Sequence, residues 1–218
     1  MSQLAVIDYG MGNLHSVASA IAHVAPGTDV IVTSDHARVK NADRVIFPGV
    51  GAIRDCMAEI RRLNIDELIL SEIESGKPVL AICVGMQALM EHSQENGGVA
   101  CLGYFRGEVE FFSENPQFKV ARENTALKVP HMGWNQVHHT RDHPIWRDIN
   151  DQTRFYFVHS YFVHLAQQEC EYGRSDYGVP FSSVIARANV FATQFHPEKS
   201  HNAGLQLLRN FVSWDGRP

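Results

Sequence analysis

Hydrophobic residues follow two regimes along this chain. Up to about residue 96, short unbroken apolar runs alternate with stretches whose apolar residues recur at helical spacing. The runs at 4–7, 30–33, 44–47 and 79–83 predict strands, and their lack of period-two alternation predicts cover on both faces. Helices are predicted to about residue 24, with Asn13 or Ser16 as cap, then over roughly 52–62, over 65–74, and from 83 to about 92. Gly76 follows the third helix, where a left-handed cap is expected. Beyond residue 96, short β-rich runs at 108–112, 136–139, 155–163, 183–187 and 190–194 lie close together. They predict antiparallel pairs on one side of a parallel sheet built from βαβ units. A last helix is expected from near 202 to 214. With no repeat, low-complexity segment or linker, the reading is one α/β domain over residues 1–218.

Composition narrows the partners. The chain has 218 residues, 44% hydrophobic and 20% charged, enough to bury a core without disulfides or metals. Its net charge of −5 is not gathered into blocks, so neither a nucleic-acid nor a membrane surface is expected. The N-terminus lacks a signal-peptide pattern, and no segment approaches a membrane span of about 20 apolar residues. Cysteines at 56, 83, 101 and 170 share no metal-type or C-x-x-C spacing. These features predict reduced thiols in a cytoplasmic protein.

One thiol stands at a seam. In PVLAICVGMQALMEH (residues 78–92), Cys83 falls where a buried strand becomes a helix. Ala-Ile-Cys-Val-Gly is a near match to the nucleophile elbow G-x-S-x-G. Such a turn projects the side chain from the carboxyl edge of a sheet, and the helix N-terminus lowers a thiol pKa. Taken alone, Cys83 equally suits a small packed hydrophobe. Two further segments change the balance. In QFHPEKS (194–200), His196 and Glu198 are two apart on an extended-compatible segment, so a carboxylate can orient an imidazole. In FPGVGA (47–52), two glycines after a strand free backbone N–H groups for an oxyanion, alongside the N–H of Val84. Twelve histidines invite a metal site, with His138, His139 and His143 the best cluster. An adjacent pair on a strand points to opposite faces, so no metal is expected there.

These segments, in this order, resemble the class I glutamine amidotransferases. With IDYGMGNLHSV (7–17), HMGWN (131–135) and FYFVHSY (155–161), the likeness is greatest to the glutaminase subunits of imidazole glycerol phosphate synthase, and it runs from about residue 4 to 213. The resemblance implies a three-layer fold, a mostly parallel sheet between helices with added antiparallel strands in the C-terminal half. It implies Cys83 as nucleophile, His196 as general base and acid, and Glu198 as its orienting group. Gly49, Val50 and Val84 would form the oxyanion hole, and Gly51, Gln87, Ser160 and Tyr161 would bind L-glutamine. Asn13, Trp134 and Lys199 would meet a separate (β/α)₈ cyclase subunit that receives ammonia in a heterodimer of histidine biosynthesis. A peptide flip at Pro48–Gly51 would complete the oxyanion hole with that partner bound. No cofactor is expected. A paralogue serving another ammonia acceptor, a γ-glutamyl hydrolase and a silent scaffold of the same fold remain open alternatives. The family's usual glycines are replaced here by Ala81 and Ala192, where crowding is expected.

Overall fold

The computed structural model describes residues 2–217. In chain order its elements are β1 (Gln3–Ile7), α1 (Leu14–Val24), β2 (Asp29–Thr33), α2 (His36–Asn41), β3 (Arg44–Gly49), α3 (Ile53–Arg62), α4 (Ile65–Glu74), β4 (Val79–Cys83) and α5 (Val84–Ala88). There follow β5 (His92–Ser93), β6 (Val99–Ala100), β7 (Gly107–Phe111), α6 (Pro116–Asn124), β8 (His131–His139), β9 (Thr153–His159), β10 (Tyr161–Leu165), β11 (Glu171–Asp176), β12 (Pro180–Arg187), β13 (Val190–Thr193) and α7 (His201–Ser213).

The sheet runs β2-β1-β3-β4-β13-β12-β10-β7-β5-β6. Its first five strands are parallel, and β12, β10 and β7 continue it antiparallel. β11 joins the β8–β9 pair to β12. Buried runs without alternation become β1, β3 and β4 as expected, each covered along nearly its whole length. β2 departs from that expectation, because as the sheet edge it leaves Asp29 and Val32 exposed. From β1 the chain steps outward to β2, and from β3 it steps the other way to β4. Right-handed crossovers therefore put α1 and the α3–α4 pair on opposite faces. The crevice at the carboxyl ends of β1, β3 and β4 lies at that reversal, where such sheets hold ligands.

Four local expectations need correction. The helix predicted to residue 92 stops at Ala88. The carbonyls of Ala88, Leu89 and Met90 accept instead from the N–H groups of Leu102, Phe105 and Gly103, at 2.9, 2.9 and 2.8 Å. A returning loop thus takes the groups that would have continued the helix. The run at 155–163 is two strands, split at Ser160, and each pairs with different neighbours. β8 begins at His131, five residues before the expected 136. α6 is absent from the periodicity because Phe118 is its one buried residue, although Asn115 caps it through the N–H groups of Gln117 and Phe118. Gly76 does take a left-handed φ of 82° at the end of α4.

Besides His196, three histidines are buried, His131, His143 and His159, at 3, 6 and 6% exposure. Burial pushes His131 and His143 down to about 4 and His159 down to about 3. All three are neutral in the fold at neutral pH. Below about pH 6.5 the unfolded chain binds protons that these rings refuse, so stability falls as pH drops toward 4, by up to about 1.4 kcal/mol per pH unit for each ring. Denaturant unfolding at pH 7 and pH 5 is expected to show that loss, and His143→Phe to shrink it. A flat stability profile between those pH values contradicts the assignment.

Candidate active site

β4 delivers Cys83 to the crevice in an unusual conformation. Its φ of 55° and ψ of −109° are strained for a residue with a Cβ, as at a nucleophile elbow. The next turn is α5, which lies directly on β3. A Cβ at Gly85 would run into the Phe47 carbonyl oxygen, so only glycine allows this approach. Parallel pairing sets Gly49 beside Cys83. A Cβ at Gly49 would lie 2.5 Å from the Tyr9 hydroxyl and 2.9 Å from the Gly85 nitrogen. Ala81 and Ala192 sit opposite each other in register between β4 and β13, buried in regular strand. Neither has positive φ, so alanine meets no backbone strain there.

Side chains hold the turn after β3 in place. The Tyr9 hydroxyl donates to the Pro48 carbonyl at 2.7 Å, and the Cys56 thiol donates to the Val50 carbonyl at 3.3 Å. Burial raises Tyr9 well above its usual range and Cys56 to about 11, so both keep their protons. The two carbonyls flanking the Gly49–Val50 peptide are therefore both anchored.

The His-Pro-Glu turn closes the crevice from β13. His196 Nδ1 lies 2.9 Å from Glu198 Oε1, with both side chains at 2% exposure or less. The Glu198 carboxylate accepts a hydrogen bond from Nδ1–H, so in the neutral ring the lone pair falls on Nε2. Nε2 is buried without a hydrogen-bond partner. Burial opposes a charged ring, but Cys83 and Glu198 outweigh it and raise His196 above its ordinary range. Glu198 Oε1 also accepts from Asn13 Nδ2 at 3.4 Å. Asn13 thus does not cap α1 with its side chain and reaches toward the buried carboxylate instead.

A cleft of about 610 Å³ joins these parts. Cys83, His196, Val50, Gly51, Val84, Gln87, Ser160, Tyr161, Asn13 and Lys199 all border it, so most of the residues singled out in the sequence meet here. Glu198 stands behind His196 rather than on the wall. Trp134 is apart, 42% exposed on β8 and stacked on His201 at 5.0 Å. Glu91 lies beyond the end of α5 and accepts from the Gly107 N–H at 2.8 Å. His138, His139 and His143 diverge. His138 pairs with Asp151, His139 stacks on Trp146, and His143 is packed against Phe191 and Trp214.

Two hydrogen bonds hold Gln87 in place. Its amide nitrogen donates to the Tyr161 carbonyl at 3.1 Å and to Gln194 Oε1 at 3.0 Å. Both amide protons are used, so Gln87 can offer a ligand its oxygen but no donor. Gln194 was missed in the sequence. It is fully buried, and its amide nitrogen lies 3.7 Å from Cys83 Sγ. The available signal was its position two residues before His196, just past the end of β13, where the chain bends at Gln194–Phe195.

Residues 5–214 match the family described as glutamine amidotransferase class-I. The chain belongs to the class I glutamine amidotransferases. This amidotransferase is 59% identical to the imidazole glycerol phosphate synthase subunit HisH of Pseudomonas putida, with all of both chains covered. It is 57% identical to HisH 1 of Pseudomonas aeruginosa, over 100% of this chain and 99% of the relative. Such identity over the whole length puts it in the same subunit family. Among solved structures, PurLQS from Thermotoga maritima superposes with a TM-score of 0.72 at 15% identity, covering 97% of this chain and 98% of that one. A second solved structure, of a glutamine amidotransferase, gives a TM-score of 0.70 at 15% identity, covering 97% and 98%. These two establish the shared fold. Among the described residues, no helix is long and apolar enough to cross a membrane.

Proposed function

We propose that this amidotransferase is the glutaminase subunit of imidazole glycerol phosphate synthase, with Cys83 as nucleophile, His196 as general base and acid, and Glu198 as its orienting group. The observation that carries the reading is the buried His196 ring, bonded to Glu198 through Nδ1 and unpartnered at Nε2 beside the strained Cys83. Cys83 attacks the side-chain carbonyl of glutamine, and its proton passes to His196 Nε2. The N–H groups of Val84 and of the Gly49–Val50 turn hold the oxyanion. His196 then protonates the departing ammonia, leaving a γ-glutamyl thioester. Water, deprotonated by His196, releases glutamate and restores the thiol. Glutamine lies along Gly51, Gln87, Ser160 and Tyr161. Each step is carried by these groups, and none calls for a cofactor.

Free ammonia protonates in water, so its synthetic use needs an enclosed route to an acceptor. The reading therefore includes a separate (β/α)₈ cyclase subunit docked over the cleft mouth, contacting Asn13, Trp134 and Lys199. There ammonia reacts with a phosphoribulosyl formimino-aminoimidazole carboxamide ribonucleotide, giving imidazole glycerol phosphate and an aminoimidazole carboxamide ribonucleotide in the cytoplasm. With both flanking carbonyls tied, a flip of the Gly49–Val50 peptide would be confined to that one unit and driven by docking. The test is release of labelled ammonia from glutamine, first by the chain alone and then with the acceptor ligand and the cyclase subunit. Strong stimulation and ammonia transfer are expected. Equal hydrolysis with and without the partner sinks the coupling, and no hydrolysis in either state sinks the glutaminase reading.

A further inference from the structure

A chain of polar groups, half-buried at Asn135 and buried at His131 and His159, runs from β8 to the cleft wall, which His159 borders. Asn135 Nδ2 lies 3.4 Å from His131 Nε2, and His131 Nδ1 lies 2.9 Å from His159 Nε2. His159 Nδ1 in turn lies 2.7 Å from the Tyr161 carbonyl oxygen. That oxygen can only accept, so His159 carries its proton on Nδ1 and presents a lone pair at Nε2. The lone pair obliges His131 to carry its own proton on Nδ1, which leaves His131 Nε2 to accept from Asn135. Each ring is fixed in one tautomer by its neighbour. Packing fixes them in space as well. His131 is stacked between Phe157 and Tyr177 at 4.9 and 4.0 Å, and His159 lies against Phe112 and Phe181, both at 5.3 Å.

The chain ends at the cleft wall. The Tyr161 carbonyl receives a second donor, Gln87 Nε2. The Ser160 carbonyl is likewise occupied, by the Phe112 N–H at 3.2 Å. With two donors on the Tyr161 carbonyl and one on that of Ser160, what this backbone chiefly has left for a ligand is its N–H groups. Gln87, with both amide protons engaged, offers an acceptor and no donor. The two surfaces suit the opposite ends of a zwitterion, the carboxylate at the backbone and the ammonium at Gln87.

We propose that His131 and His159 are positioning residues for glutamine: as a tautomer-locked pair they tie down the Tyr161 carbonyl, so that the Ser160–Tyr161 backbone receives the α-carboxylate through its N–H groups. The proposal rests on the reading of Ser160 and Tyr161 as glutamine-binding residues. It also connects β8, which carries the exposed Trp134, to the substrate cleft through hydrogen bonds alone.

Asparagine and glutamine separate the proposal from simple packing. Asparagine reproduces a donor near the Nδ1 position, while glutamine reaches the Nε2 position and leaves the Tyr161 carbonyl with the Gln87 donor alone. Glutamine affinity is measured by calorimetry in the complex with the cyclase subunit, in a Cys83→Ala background where no turnover occurs. His159→Asn is expected to bind within about threefold of the parent, and His159→Gln about tenfold more weakly. His131→Phe is expected to weaken binding and His131→Asn to restore it. In the Cys83 background, KM should follow the same order with kcat little changed, and alkylation of Cys83 by iodoacetamide should be equal in all variants. Equal affinities for His159→Asn and His159→Gln overturn the proposal, as does a fall in alkylation that parallels the fall in binding. Absence of glutamine hydrolysis in the parent, with the affinity order preserved, overturns the glutaminase reading and leaves the positioning role supported.

Discussion

Cys83→Ala is expected to lower glutaminase turnover by roughly 10⁴-fold or more while leaving the fold intact, the scale seen when a nucleophile acting in concert with its base is removed. The reason is local. His196 Nε2 has no hydrogen-bond partner, and the Gln194 amide nitrogen lies 3.7 Å from the thiol. An amide cannot replace a thiol in forming the acyl intermediate. Cys56 cannot replace it either, because its thiol is spent on the Val50 carbonyl and burial holds it protonated, at about 11. Replacing Cys83 by alanine removes a single buried heavy atom, so the unfolding midpoint should move little. Labelled-glutamine hydrolysis with the partner present measures the first effect, and thermal unfolding the second. Retention of more than about one percent of turnover would falsify the role of Cys83 as nucleophile.

How far this site was legible in the sequence depends on the physics behind each part. Cys83 and the glycine turn are marked locally, since an elbow needs small residues at fixed offsets, whereas the extended geometry expected for His196 and Glu198 is replaced by a 3₁₀ turn over Pro197–Lys199, which folds the carboxylate back onto the ring. The parallel strands are marked too, because β1, β3 and β4 are apolar along their length. What stayed hidden depends on distant partners. α5 ends at Ala88 because residues 102–105 return to claim its carbonyls, and nothing within residues 83–92 encodes that return. Gln194 and Gln87 meet across 107 residues of chain. His131 and His159 were visible inside their motifs, but their tautomers follow from a carbonyl two residues beyond one and an amide four beyond the other. α6 illustrates a different limit. With Phe118 as its only buried residue, it has little apolar period to detect, and the Asn115-Pro116 start was the one available clue.

Gly85→Ala should damage both stability and catalysis, although the change adds one methyl group. The new Cβ would overlap the Phe47 carbonyl oxygen and stand 3.0 Å from the Phe47 carbonyl carbon. Those atoms belong to the backbone of β3, a central strand held on both sides by β1 and β4, so no flexible side chain can move aside. Relief requires lifting α5 from the sheet. The expected loss is about 3 kcal/mol, the upper part of the range for overpacking a close contact. The same shift moves the Val84 N–H away from Gly49, its neighbour across the proposed oxyanion hole. Misplacement by about 1 Å in such a site costs on the order of 10²-fold in rate. Gly27→Ala supplies the contrast, because a Cβ there meets nothing within 4 Å and its φ is not in the left-handed range. That variant should unfold within about 0.5 kcal/mol of the parent. Urea unfolding of the two variants, paired with glutamine hydrolysis in the complex, separates the effects. If both alanines prove equally mild, α5 does not lie against β3 as closely as described, and the elbow owes its geometry to something other than Gly85.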